Sequence, residues 1–237
     1  MIDNTIAAAQ QAGARIVLPG NVYNYGLDVS PLVAEDAPQA PTTVKGRVRV
    51  ELERRLAHSG APTLILRCGD FFGPRAGHNW FDQLVKPGAK AITNPGRQGV
   101  GHQWAYLPDV AATMVALLDR DLPPFARFHL GAHYDPDGET MIRTIQAALG
   151  RPEMPVRRFP WWLISALSPV APLCRELREM RYLWRRPLQL DGGRLEATLG
   201  EVPHTPWLTA VREALIGQGC LSPVEAARAM AQPAVGA

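Results

Sequence analysis

The feature that most constrains this 237-residue chain is a repeated order of helix, short loop and apolar strand. Residues 5–12 (TIAAAQQA) are strong helix formers, Gly13 suits a C-terminal stop, and RIVL at 15–18 is a short apolar run fit for a buried strand. Residues 44–58 return to helix, Gly60 stops it, and TLILR at 63–67 is the next buried strand. WAYLPDVAATMVALLDR joins a short strand to a helix that Asp109 is expected to cap, and ARFHLG is a further strand. Residues 138–150 are predicted helical, with Met141, Ile142, Ile145, Ala148 and Leu149 on one face. Such alternation predicts an α/β fold: a doubly wound parallel sheet with helices on its faces.

Two stretches break the pattern. Residues 19–43, rich in Pro, Gly, Asn and Asp, are expected to form a long surface loop. From 151 the character changes: Pro155, Pro160, Pro169, Pro172 and Pro187 punctuate an aromatic segment with Trp161, Trp162, Tyr182 and Trp184, which suggests a separate lid or cap. DGGRLEATLG at 191–200 and HTPWLTAVREALI add closing helices, and the Ala-rich end is expected to fray. The expected division is a sheet domain over 1–150, a substrate-binding or lid region with closing helices over 151–221, and a flexible tail over 222–237.

Composition excludes several functions. Lys and Arg number 25 against 22 Asp and Glu, a balance too slight and dispersed for a nucleic-acid surface. The cysteines Cys68, Cys174 and Cys220 stand apart without zinc spacing, so a reducing cytoplasm is the default compartment. The N-terminus lacks the charge and apolar run of a secretory signal. The longest apolar stretch, WWLISALSPVAPLC from Trp161, is interrupted by proline and falls short of the roughly 20 residues of a bilayer span. Its apolar faces are expected to be core and lid rather than a membrane anchor.

In open sheets of this kind ligands bind beyond the carboxyl ends of the strands, here PGNVYNYG and CGDFFGP. Tyr23 is therefore a candidate substrate contact and Asp70 and Phe72 candidate cofactor contacts; the alternative is that both segments are merely tight turns. GRQGVGHQW at 96–104 has no strand before it and reads as a loop, with His102 a candidate substrate contact or simply exposed to solvent. Trp161 of the aromatic segment is a third substrate candidate. His129 and His133 are four apart but separated by Gly131 in a strand-then-turn pattern, so no metal site is predicted. There is no GxSxG elbow.

The loop VYNYG, the stretch KGRVRVELE, the turn DFFGP and WAYLPDVA, in this order, resemble the extended short-chain dehydrogenase/reductase family, the NAD-dependent epimerase/dehydratase group. The likeness runs from about Thr5 to Leu215 and implies a partial Rossmann-like sheet. Tyr25 and Gly26 fall on the family's Tyr-Gly, Phe72, Gly73 and Pro74 on its Tyr-Gly-Pro, and Asp109, Val110 and Ala111 on its Asp-Val-Ala. At the catalytic positions the chain departs. The family's proton-donor Tyr falls on Lys45, its active-site Lys on Arg49, its helix Glu on Glu53 and its Ser or Thr on Asn21.

The resemblance implies an NAD(P)-dependent oxidoreductase or epimerase-like protein acting on a small carbonyl or hydroxyl compound, with NAD or NADP as cofactor. Asn21 would orient the substrate oxygen, Lys45 would exchange the proton, Arg49 would hold the ribose, and Tyr25 would be a reserve donor. A lysine serves near neutral pH when burial or a neighbouring cation lowers its pKa from about 10.4; arginine cannot be a base. The alternative is that positions 45 and 49 are solvated helix cations, paired to Glu51 or Glu53. The glycine-rich turn that meets the pyrophosphate in the family is absent, so this chain is expected to be a truncated or divergent member, or a non-catalytic binding or scaffold protein of the same fold. The Arg that binds a diphosphate in nucleotide-sugar members falls on His102. The family often dimerises through the helix corresponding to 44–58, which makes a homodimer the implied assembly.

Overall fold

The computed structural model describes residues 1–77 and 79–222. All of the expected tail from residue 223 onward lies outside the described residues. The described chain forms two compact units that interleave in sequence: residues 1–69, 109–132 and 188–203 in the first, and 70–108, 133–187 and 204 onward in the second.

In the first unit three parallel strands, Ile16–Asn21, Thr63–Cys68 and Phe125–His129, lie side by side with Thr63–Cys68 in the middle. All six residues of that strand are buried, as a central strand with the apolar run Leu64–Leu66 and neighbours on both sides requires. Pro19 lacks an N–H for a ladder, and it sits in Ile16–Asn21, which pairs on one side only among the described residues. Helix Ile2–Ala12 presents Ile2, Ile6 and Ala9, and helix Val44–His58 presents Leu52 and Leu56, to Ile16, Ala61 and Ile65 of this sheet layer. Burying one such aliphatic side chain contributes about 1.5–3 kcal/mol. Gly13 ends the first helix in the left-handed conformation at φ 62°, its N–H reaching the Ala9 and Gln10 carbonyls.

The expected surface loop 19–43 is partly a structured element. Leu32–Val33 pairs in parallel with Gln189–Leu190, and Val33 and Tyr25 are fully buried. Its turn-rich composition carries no mark of the strand, 157 positions away in the pairing, that supplies its hydrogen bonds. Helix Leu107–Leu118 begins before Asp109, which therefore lies in the first turn rather than at the cap; a carboxylate there still complements the helix dipole.

In the second unit strand His102–Tyr106 lies between Asp70–Phe72, parallel to it, and Tyr134–Asp135, antiparallel. Ile92–Asn94 pairs with Val156–Arg158. Helix Thr140–Ala148 buries Met141, Ile142, Ile145 and Ala148 and packs on helix Trp207–Gly217, which buries Ala210, Val211, Ala214 and Leu215. Two short helices, Trp161–Leu167 and Pro172–Glu179, pack together as a hairpin, and neither contains a buried residue. None of the described helices is long and apolar enough to cross a membrane.

Compactness thus does not follow a boundary at residue 150. Residues 133–150 group with the aromatic segment because Tyr134–Asp135 extends the sheet of His102–Tyr106, and 188–203 returns to the first unit because Gln189–Leu190 pairs with Leu32–Val33.

Candidate functional site

Strand Ile16–Asn21 ends in a single 3-10 turn, Val22–Asn24, and the buried Asn21 caps it by accepting the Tyr23 N–H at 3.0 Å. Helix Val44–His58 starts against this turn. Thr43 is its cap, accepting the Gly46 N–H at 2.9 Å. A Cβ on Gly46 would lie 2.3 Å from the Tyr23 carbonyl oxygen and 2.5 Å from Pro41 Cβ, so only glycine allows the first helical turn this close. Lys45 and Arg49, both half-buried, lie in the first two turns of the helix, whose Gly46 seats against the half-buried Tyr23.

The carboxylates expected to pair with these cations are committed elsewhere. Glu51 binds Arg54 at 2.7 Å and Arg55 at 2.8 Å. Glu53 is buried and accepts from Arg67, Nη2 to Oε2 at 2.6 Å and Nε to Oε1 at 3.0 Å. Arg49 is consequently left without an ion pair among the described residues. The reading of Arg49 as half of an i, i+4 pair with Glu53 is corrected: Arg67, in a fully buried strand, has the stronger demand for that carboxylate.

Beneath the turn runs a buried polar chain. Asn24 Nδ2 donates to Glu53 at 2.9 Å, Arg67 Nη1 donates to the Tyr25 hydroxyl, and that hydroxyl meets His129 Nε2 at 2.8 Å. His129 Nδ1 lies 3.0 Å from the Val33 carbonyl, an acceptor only, so Nδ1 carries the proton and Nε2 accepts from Tyr25. Burial, and then the Arg67 charge, push the His129 pKa down to about 3, which keeps it neutral. Burial likewise raises the Tyr25 phenol above its ordinary value, against the Arg67 charge. Tyr25 has 0% exposure and its proton is committed to His129. It is a structural member of this chain of contacts, which corrects its reading as a reserve donor to substrate.

The candidates of the second unit divide. Asp70 accepts from His102 Nε2 at 2.8 Å, and the His102 ring stacks on Trp184 at 3.8 Å with its Nδ1 toward the Leu183 carbonyl. Both are buried, so His102 is neither solvent-exposed nor open to a substrate, and Asp70 serves His102 rather than a cofactor. The reason is the strand: pairing with Asp70–Phe72 begins two residues along, and it draws His102 into the interior. Phe72 is wholly enclosed by Phe81, Trp104, Tyr106, His133 and Trp207, which corrects its assignment to the cofactor. Trp161 does line a cavity, of about 720 Å³, its Nε1 donating to the Pro95 carbonyl at 2.8 Å. Sequence reasoning missed Gly46, the Arg67–His129 layer and the arginines of that cavity; the one available signal was a charged residue inside the apolar run TLILR.

No protein-family model and no curated protein matches the chain. Among solved structures it is similar to a UDP-galactose 4-epimerase, with TM-score 0.64 and 18% identity over 92% of this chain and 67% of that one. It is also similar to MoeE5 in complex with UDP-glucose and NAD, with TM-score 0.68 and 16% identity over 91% and 69%. A third is the L-threonine dehydrogenase from Phytophthora infestans, with TM-score 0.68 and 14% identity over 91% and 68%. The chain spans about two thirds of the length of these proteins. It has the α/β fold of the NAD-dependent epimerase/dehydratase-type enzymes.

Proposed function

We propose that the chain works with NAD or NADP as an oxidoreductase or epimerase-type enzyme on a small carbonyl or hydroxyl compound. The observation that carries this reading is the close seat of helix Val44–His58 on the 22–24 turn, made by Gly46, with Arg49 there lacking an ion pair among the described residues. On this reading Asn21 Nδ2 donates to the substrate oxygen, the Lys45 amine exchanges the hydroxyl proton, and Arg49 holds a ribose hydroxyl or a phosphate. Tyr23 flanks the substrate. A bound nicotinamide would supply or accept the hydride. The residues present fit the nicotinamide–ribose half of a dinucleotide; the described residues contain no glycine-rich strand–turn–helix for the pyrophosphate. The similarity to a structure containing NAD and to a dehydrogenase supports the reading.

A non-catalytic binding or scaffold protein is the second reading, favoured by the internal commitment of Tyr25, Asp70 and Phe72. Calorimetric titration of the folded chain with NADH and NADPH separates a nucleotide-using protein from a scaffold that binds neither, and turnover of bound nucleotide with a carbonyl substrate separates the enzyme from a non-catalytic binder. Binding that Arg49→Gln weakens about tenfold, the loss of one charge-assisted hydrogen bond, together with that turnover supports the enzyme. A folded chain that binds neither nucleotide overturns it in favour of the scaffold.

A further inference from the structure

The segment 156–187 is the most basic part of the molecule. It holds seven arginines against two glutamates, +5, whereas the entire chain is +3. Its hairpin of helices Trp161–Leu167 and Pro172–Glu179 is held by hydrogen bonds: Arg178 Nη1 donates to Ser168 Oγ at 2.8 Å, Ser168 Oγ to the Ser165 carbonyl at 2.9 Å, and Ser165 Oγ to the Trp161 carbonyl at 2.8 Å. On this braced frame Trp162 is 75%, Val170 80% and Leu173 70% exposed. Leu163 and Leu167 are exposed too and, four apart, share one face of helix Trp161–Leu167, with the exposed Val170 in the turn that follows it. An exposed apolar patch on a fixed element marks an interaction surface.

Beside the hairpin lies the cavity of about 720 Å³, lined by Arg97, Arg157, Arg158, Arg181 and Arg185. None of the five makes an ion pair among the described residues, and the acidic lining residue Glu139 is taken by Arg143 at 3.4 Å. Arg181 lies 5.3 Å over the Trp161 ring, and its buried Nε has no hydrogen-bond partner. Burial, and then the charges of Arg185 and Arg97, lower its pKa. Guanidinium groups crowded without a carboxylate are completed by an anion, and phosphate geometry matches their fork.

An apolar patch with an exposed Trp, next to unpaired arginines, is the combination that a bilayer surface of anionic lipid meets: Trp at headgroup level, aliphatic side chains at the acyl boundary, cations on phosphates. An acidic protein partner would satisfy the arginines but would not call for so many exposed apolar side chains on the hairpin. Helices of seven and eight residues lie in such an interface and do not cross it. We propose that the second unit docks through this hairpin onto an anionic phospholipid surface, with Trp162, Leu163, Leu167, Val170 and Leu173 entering the headgroup region and a lipid phosphate seated among the cavity arginines.

The test is cosedimentation of the purified chain with vesicles of phosphatidylcholine containing about a third phosphatidylglycerol, against phosphatidylcholine alone. The expected result is binding at least about tenfold stronger to the anionic vesicles, with a blue shift of tryptophan emission. Trp162→Ala/Leu173→Ser and Arg157→Gln/Arg158→Gln should each weaken it about tenfold while leaving the circular dichroism spectrum unchanged, since all four residues are exposed. A folded chain that ignores anionic vesicles overturns the proposal. So does binding that neither variant reduces, or that inorganic phosphate alone saturates without vesicle association. Light scattering that reports a wild-type dimer, converted to a monomer by Trp162→Ala/Leu173→Ser and not binding vesicles, overturns it by assigning the patch to a second copy.

Discussion

Arg67 grips Glu53 with two parallel hydrogen bonds, 2.6 and 3.0 Å, in a place where the guanidinium has no exposure and the carboxylate almost none. Removal of one member leaves the other charged and buried. Glu53→Leu or Arg67→Met should therefore cost about 3–5 kcal/mol, and the double replacement Glu53→Leu/Arg67→Met distinctly less than the sum. Urea denaturation of the three variants checks this; additive losses would show that the two side chains do not act as a pair.

His129 gives a pH dependence of defined sign. Its folded pKa is near 3 and its ordinary value is 6.5, so between these values the unfolded chain binds the extra proton. Stability is fully present above about pH 6.5 and falls as pH drops toward 3, with a contribution of up to about 1.4 kcal/mol per pH unit from this group. In His129→Gln the slope between pH 6 and 4 should be shallower by that amount, as read from denaturation midpoints across the range. Equal slopes would place the acid sensitivity elsewhere.

Gly46 sets the distance between a helix and a turn. A methyl group there meets the Tyr23 carbonyl at 2.3 Å, so Gly46→Ala should destabilise by about 1–3 kcal/mol despite alanine's better helix propensity. The displaced helix carries Lys45 and Arg49 with it, so NADH affinity should fall in the same variant even where it remains folded. An unaltered affinity would detach these cations from the cofactor.

Lys45→Met tests the proton transfer directly. With a substrate in hand, the expected outcome is a large fall in kcat and loss of one limb of its pH profile, with nucleotide Kd little changed. Turnover equal to wild type removes Lys45 from the chemistry.

Much of the architecture was legible because it is local or periodic. TLILR between two helices announces a buried parallel strand, and Met141, Ile142, Ile145 and Ala148 announce the buried face of their helix. The helix stops at Gly13 and Gly60 were legible too, since both adopt positive φ. The pairings were not. Nothing in GRQGVGHQW tells that His102 enters a strand beside Asp70, 32 positions earlier, or that Leu32–Val33 waits for Gln189–Leu190. At the candidate site, the departures at positions 45 and 49 stood out in sequence, whereas the glycine that seats them did not. The apolar faces of the aromatic segment were expected to be core and lid, and composition alone does not tell a buried Trp from the exposed Trp162.

The Arg67 layer has a further consequence for how the chain reaches its fold. Tyr25, Glu53, Arg67 and His129 come from a turn, a helix and two strands, and they meet only when Thr63–Cys68 stands in its native alignment with Phe125–His129. An alignment shifted by one residue turns alternate side chains to the opposite face and strands a guanidinium in an apolar layer. The polar quartet therefore acts as a proofreading device: an otherwise slippery run of aliphatic residues has a single alignment in which its one charge is answered.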